Sequence, residues 1–597
     1  MSEIDFRNIV RIGLIAGLVA ASVSVIGMVE TFDARDIITG ILSLGQVLLF
    51  SAAALGGYLA SQEQEESKIV PSLVTGLLVG LLAALPVIAL IVLQVGFPEL
   101  HAALANAAPS LEAVPSDIRD YLVNLSPTLI EILTFGREPL TGSLLLLGSM
   151  GLLGLGGAIV HVVPSRFERP LTIGVLWTLL IGMLSEVLLG ILRQFVSSAN
   201  LRLLFGTRGI RPIPALIIFV VITAIAVVWR LRGRRAWQER MGAASPAQQK
   251  RARLGGLSLV FLLLLVLPFI LGTYLTEVVD NVGLFILMGL GLNIVVGFAG
   301  LLDLGYVAFY AIGAYTMGIL TSTGALGFAG LSFWAAIPIA MGVAVLAGIL
   351  LGTPVLRMRG DYLAIVTLGF GEIIRVLATS DLLKPYIGGA QGVLNIPKPE
   401  IAGFRFVQPE HFYYLILAGC LFAAFVAWRL RDARLGRQWM AMREDEDVAE
   451  AMGIHLVKTK LLAFGMGAAF AGLSGAIFAA KLGSIFPHSF NLIISINVLS
   501  LIIVGGIGSL PGVVVGALVL VGMPELLREF AEYRFLMYGA LLIAMMLAKP
   551  EGLWPSPIRR RELVEEEEAF PSEEGLNPFT EEPMAEQMAE RPNTAVK

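Results

Sequence analysis

Apolar runs of about 18 or more residues recur along most of the chain, and each is long enough to cross a hydrocarbon core of about 30 Å as a helix. A soluble core has no use for so many. The composition agrees: 56% of the 597 residues are hydrophobic and only 15% are charged, well below the usual quarter for soluble proteins. The chain reads as an all-α polytopic membrane protein. Its 65 glycines, many of them inside apolar runs, would weaken helices in water, but in lipid small residues let helix backbones approach closely. They predict tightly packed bundles.

Sixteen candidate spans centre near residues 20, 49, 83, 152, 181, 222, 267, 289, 314, 345, 370, 420, 470, 499, 519 and 541. The first run, from about residue 12 to residue 29, follows Glu3, Asp5, Arg7 and Arg11 and exceeds a signal-peptide core in length, so it reads as a retained anchor. Short loops rich in Lys and Arg face the cytoplasm. The stretches 230–253 and 429–445 are both basic, and an even number of spans separates them. Counting outward from them places both termini inside. The loop 193–212 then falls outside with four arginines; an interfacial helix or one misplaced span would account for it.

Four regions follow. Residues 1–232 form an N-terminal membrane region of about six spans, 233–255 a basic cytoplasmic linker, 256–549 a domain of about ten spans, and 550–597 an acidic tail with no apolar periodicity. Such a tail buries too little surface to fold alone. Residues 98–138 form a polar, proline-punctuated external segment.

Enzyme signatures are absent. There is no phosphate-binding G-x-x-x-x-G-K-[ST] loop, no H-E-x-x-H and no nucleophile elbow. The five histidines are scattered without metal-ligand spacing, and Cys420, alone in an apolar run, reads as packing. No metal, cofactor or nucleic-acid partner is expected. "GGIGSLPG" (505–512) lies between membrane-length apolar runs rather than between a strand and a soluble helix, so close helix packing or a re-entrant turn explains it better than a dinucleotide loop.

Polar groups at membrane depth are tolerated where they face protein or a water-filled cavity. Residues 287–320 carry Asn293 in one apolar run, a break at Asp303, and then Tyr306, Phe309, Tyr310 and Tyr315 among small residues. This is the candidate pathway lining; helix-tying hydrogen bonds and an aromatic interface belt are the alternative account. In "RGDYLAIVTLGFGEIIRV" (359–376), Arg359 and Asp361 belong to the cytoplasmic mouth. Glu372 lies eleven residues past Asp361, which at about 1.5 Å each is roughly 16 Å deeper. Glu372 and Arg375, spaced i, i+3, share a helix face and can neutralise one another, offsetting about 2.5 to 3.5 kcal/mol for each charge at the centre of a span. Their face is expected to turn toward the bundle or a cavity, never toward lipid. Either a purely structural pair or a part in gating or passage fits the spacing.

Residues 437–454, "RQWMAMREDEDVAEAMGI", contain no Gly or Pro between Gln438 and Met452, and Gly453 is placed to end a helix in a left-handed cap. Trp439, Met440, Met442 and Val448 are mixed with Arg443, Glu444, Asp445, Glu446 and Asp447. The acidic cluster disfavours anionic lipid, so a short helix here is expected to dock into a soluble partner.

The stretches 291–315, 357–376, 436–454, 504–517 and 524–534 together resemble the M-type permease of the branched-chain amino acid ABC importers of bacteria and archaea, in family order and spacing over roughly residues 256–555. The resemblance implies a type II ABC-importer-like helical bundle, here with an additional N-terminal set of about six transmembrane helices, in a bacterial or archaeal cell membrane. It implies a homologous H-type permease partner, two ATP-binding subunits and an extracytoplasmic substrate-binding protein. The loop carrying "EDEDVAEAMG" is similar in role to that family's ATPase-docking loop, which points to Arg443, Glu444, Asp445, Ala449 and Gly453. The missing phosphate loop then follows, because nucleotide chemistry belongs to another chain. A urea or short-amide permease, or an ion-coupled secondary transporter, are the rival readings. The N-terminal half departs from the family. Residues 43–61 echo 303–322 through LGxV and GxY elements, which suits either a decayed second permease or unrelated helices around the bundle.

Overall fold

The computed structural model describes residues 6–62, 69–96, 126–163, 165–206, 209–230, 246–355, 358, 361–526 and 533–555. Arg359, the external stretch through residue 125, most of the basic linker and the tail beyond residue 555 lie outside the described residues, as does the Asp361 side chain. The protein is an all-α polytopic membrane protein. Ten described helices are long and apolar enough to span a membrane, and a bent pair makes a possible eleventh. Every predicted span centre falls in a helical segment.

The chain divides into two compact units, residues 1–276 with 524–535, and residues 277–523 with 536–597. In the first, α1 (Phe6–Val25), α2 (Met28–Asp33), α3 (Leu44–Gln62), α4 (Ile69–Gly96), α5 (Pro127–Leu133) and α6 (Pro139–Val162) precede α7 (Ser165–Met183) and α8 (Ser185–Leu192). A short α9 (Ser198–Leu204) and α10 (Pro212–Val228) complete it. The long helices α1, α3, α4 and α6 pack on one another around small and branched residues such as Ala20, Ala53, Ala83, Val87 and Met150. The span predicted near residue 181 is bent by 68° between α7 and α8. In the arginine-rich loop that follows, α9 sits on a small core of Leu201, Phe205, Ile210 and Ala215.

Helix α11 (Pro246–Leu292) leads from the first unit into the second. At about 1.5 Å per residue it would measure roughly 70 Å, more than twice a hydrocarbon core. It is broken at Gly272, whose backbone has φ 72° and ψ 175°, and the two predicted centres at 267 and 289 lie on either side of that break. A π-helical stretch, Asn293–Phe298, ends it.

The second unit continues with α12 (Val307–Thr321), α13 (Phe333–Val355), α14 (Asp361–Thr379), α15 (Pro409–Asp432), the short α16 (Arg434–Glu444) and α17 (Glu446–Ala451), then α18 (Leu456–Leu482), α19 (Leu492–Gly505), α20 (Leu510–Ala517) and α21 (Arg534–Ala548). Two-stranded hairpins, one in each unit, are the only described sheets. Helix α18 is the axis of this unit: 78% of its apolar window is buried, and α12 and α13 both lie along it. Close approach requires small residues there. A Cβ on Gly313 would collide with the Gly472 backbone, and one on Gly475 with the carbonyl of Tyr310. The glycine-rich composition is thus used at helix crossings, as van der Waals association in lipid demands.

Candidate functional site

Residues 437–454, expected to hold one helix, fall in two, Arg434–Glu444 and Glu446–Ala451. The ladder breaks at Asp445, which is extended (φ −153°, ψ 114°) and whose carboxylate Oδ1 accepts the Asp447 amide at 2.8 Å and the Val448 amide at 2.9 Å. An Asp side chain that competes for backbone donors favours a helix start over a helix interior. Gly453 does provide the left-handed cap, at φ 88°. Its amide bonds the Glu450 carbonyl at 2.9 Å and the Ile454 amide bonds the Ala449 carbonyl at 3.0 Å, the two bonds of a Schellman motif.

Three anchors fasten this loop to the second unit. Trp439 is fully buried and donates Nε1–H to the Thr459 carbonyl at 2.8 Å. The buried Lys460 ammonium pairs with Glu446 at 2.8 Å. Arg443 donates Nη1–H to the Gly297 carbonyl at 2.9 Å, at the end of the π-helical stretch. Arg443 and the buried Ala449, both expected in the docking loop, turn toward the chain's own second unit and hold the loop in place. The apolar face with Trp439 and Met442 packs on the chain's own core for the same reason: those residues are 0% and 2% exposed. What points outward is Glu444, Asp445, Asp447, Val448 and Met452. Val448 and Met452 are 59% and 80% exposed. Met452 lies within the stretch 437–454, and its exposure follows from the packing of the loop rather than from its place in the sequence.

The polar and aromatic residues of 287–320 come together in the core. Asn293, fully buried, accepts the Gly508 amide at 2.9 Å and so joins the π-helical stretch to the turn between α19 and α20. Asp303, also fully buried, accepts the Gly305 amide at 2.9 Å, while the Thr367 hydroxyl of α14 accepts the Leu304 amide at 3.0 Å. The break before α12 is thereby held from two sides. The Tyr306 hydroxyl donates to the Gly467 carbonyl of α18 at 2.8 Å. Phe309 stacks at an angle between Tyr306 and Phe370, and Tyr310 and Tyr315 both meet the ring of Phe490. In this conformation Asn293, Asp303, Tyr306 and Phe309 are ties and filling of the bundle. Tyr315 and Arg375 border a narrow crevice with Ala311, Ile374 and Phe490.

Glu372 and Arg375, expected to face the bundle or a cavity, meet within one turn of α14 on a partly exposed side. Arg375 donates Nε–H to Glu372 Oε1 at 2.9 Å, yet the two side chains are 46% and 39% exposed. The inner face of α14 is taken by Leu363, Ala364, Thr367 and Ala378, and a pair that neutralises itself within one helix turn needs no partner from the bundle.

A second ionic group escaped sequence analysis. The Lys481 ammonium lies 3.0 Å from Glu277, 3.1 Å from Asn281 Oδ1 and 3.6 Å from the fully buried Asp280. Lys398 donates to the Lys481 carbonyl and sits over the Phe412 ring; burial holds its ammonium below the usual lysine range. Partners 200 residues apart leave no spacing to read. A charge inside each apolar run was the one available signal.

No group of three or more potential metal ligands occurs among the described residues. Residues 274–548 match the family described as branched-chain amino acid transport system / permease component. The chain is 42% identical over 324 residues to the high-affinity branched-chain amino acid transport system permease protein LivM of Escherichia coli K12, covering 50% of this chain and 75% of that protein. It is 25% identical over 321 residues to the probable branched-chain amino acid transport permease protein LivM of Methanocaldococcus jannaschii, covering 46% and 91%. It is 28% identical over 198 residues to the permease protein LivH of Escherichia coli K12, covering 31% and 64%. No solved structure matches the chain.

Proposed function

This chain belongs to the family of permease components of branched-chain amino acid transport systems, and from that premise we propose that it carries hydrophobic amino acids across the membrane under the drive of separate ATP-binding subunits. A permease of related sequence completes the membrane core, and an extracytoplasmic binding protein delivers the solute. The α16–α17 loop faces the cytoplasm, as do both termini.

The observation that carries this reading is the construction of that loop. Trp439, Lys460 and Arg443 lock its inner side to α18 and to the π-helical stretch, while Glu444, Asp445, Val448 and Met452 stay exposed. Such an element transmits force because it is stiff on one side and open on the other. Closure of the ATP-binding pair pushes the loop, and the push reaches Gly297 through Arg443, then Gly508 through Asn293. Asp303, Tyr306, Phe309, Tyr310 and Tyr315 lie on the elements this movement repositions, and they line the solute path when the bundle opens. Specificity rests mainly on the binding protein.

The test is co-purification of ATP-binding chains with the tagged protein, followed by uptake in proteoliposomes. ATP-dependent leucine uptake is the expected result. Uptake of urea instead of leucine, or uptake driven by an ion gradient without any ATP-binding chain, would replace this reading.

A further inference from the structure

Helices α7 and α10 of the first unit run antiparallel against each other and touch where a Cβ on Gly174 would collide with the Thr223 hydroxyl and the Phe219 ring. Beside that contact lies a cleft of about 550 Å³, within the range of about 300 to 1,000 Å³ usual for ligand sites. Its walls divide by chemistry. Arg169, near the start of α7, and Arg230, just past the end of α10, stand at one end. Ile173, Trp177, Ile225 and Trp229 line the remainder. Trp177, Ile225 and Trp229 are 52%, 63% and 61% exposed, so the cleft is open on its outer side. Helix α10 carries no charge from Pro212 to Val228 and buries little of that length, so its surroundings are hydrocarbon. What fills the cleft comes from the bilayer.

We propose that this cleft holds one anionic phospholipid of the membrane, its phosphate between Arg169 and Arg230 and an acyl chain laid along Ile173, Trp177 and Ile225. Guanidinium groups take phosphate oxygens in two-point contact, and basic pockets between spans suit anionic headgroups. The neighbouring carboxylate of Glu168 accepts the Tyr58 hydroxyl of α3 at 3.1 Å and is engaged there. Trp229 adjoins Arg230, at the level where indole rings settle among headgroups. Trp177 lies eight residues past Arg169, about 12 Å deeper along the helix, and borders the acyl chains. Arg232, Arg234 and Arg235 follow Arg230 in the sequence, as in a segment that meets an anionic leaflet. A free phosphate would leave the apolar walls uncovered, and a zwitterionic lipid would bring a second cation to the two arginines. The cleft lies outside residues 274–548, which match the permease family, so its occupant does not depend on what the second unit carries.

The test uses the purified full-length chain in detergent, titrated with phosphatidylglycerol, phosphatidylcholine or inorganic phosphate while its melting temperature is followed. Phosphatidylglycerol is expected to raise that temperature at near-stoichiometric lipid. The Arg169→Gln/Arg230→Gln variant should need about ten-fold more lipid for the same shift. An equal shift from phosphatidylcholine means unselective surrounding lipid and overturns the proposal. A full shift from inorganic phosphate means a free-anion site and overturns it too, as does an undiminished response of the double variant. A second measurement needs no arginine variant. Brominated phosphatidylglycerol should quench the tryptophan fluorescence of the parent at a several-fold lower mole fraction than brominated phosphatidylcholine, and the difference should vanish in Trp177→Phe/Trp229→Phe. Quenching that ranks the two lipids alike in the parent, or a difference that persists in that variant, overturns the proposal.

Discussion

Arg443 of α16 reaches the carbonyl of Gly297, 146 residues earlier in the chain, with a 2.9 Å hydrogen bond. A π-helical end leaves carbonyls without partners inside the helix, and a charged donor satisfies one at about 1.5 to 3 kcal/mol. The bond makes the loop and the π-helical stretch one mechanical body. Arg443→Ala is expected to lower amino-acid uptake about ten-fold or more while ATP hydrolysis falls far less. Paired uptake and hydrolysis assays on the same proteoliposomes check this; equal losses in both would mean that the bond serves stability rather than transmission.

Gly453 holds its cap at φ 88°, a conformation that costs a residue with a side chain about 1 to 2 kcal/mol. Gly453→Leu is expected to loosen α17 and cut the yield of ATP-binding chains recovered with the tagged permease. The permease itself should insert normally, as quantitative blotting of membranes would reveal. Full recovery of the ATP-binding chains would remove α17 from the docking surface.

Lys460 and Glu446 form an ion pair with side chains 4% and 20% exposed. Removing one partner leaves a buried charge, at about 3 to 5 kcal/mol. Lys460→Met should therefore inactivate at a markedly lower temperature than the parent in detergent, and Lys460→Met/Glu446→Leu should recover much of the loss. Thermal aggregation followed by size-exclusion chromatography gives the ranking.

Tyr306 and Asn293 test the difference between a tie and a lining. Tyr306→Phe removes one hydroxyl bond to the Gly467 carbonyl, worth about 0.6 kcal/mol on average between membrane helices, and should shift the melting temperature slightly. Asn293→Leu loses the Gly508 bond and places a larger apolar group beside Gly297, so its shift should be several times greater. Differential scanning fluorimetry of the two variants decides whether the order holds.

Gly475 faces the Tyr310 carbonyl so closely that any side chain must displace α12 from α18. Gly475→Leu is expected to prevent accumulation of folded permease, whereas Gly369→Leu, on an open face, should accumulate normally. Fluorescence-detected size-exclusion profiles of the two proteins make the comparison.

The sequence by itself determined that this chain lives in a membrane as helices, because apolar length is a local property that any window of about 20 residues reveals. It also pointed to a permease motif set over roughly residues 256–555, of which 274–548 match the family, and to a helix end at Gly453, since a cap is written within a few residues. Tertiary structure alone decided which side of each element is used. The amphipathic pattern of 437–454 contains two polar directions, and only packing shows that Arg443 and Ala449 turn inward while Val448 and Met452 turn out. The i, i+3 spacing of Glu372 and Arg375 fixes that they meet, but not whether α14 points them at the bundle or away. Lys481 finds Glu277 and Asp280 from two hundred residues away because helices that are remote in the chain are neighbours in the bundle, and no local pattern encodes that adjacency.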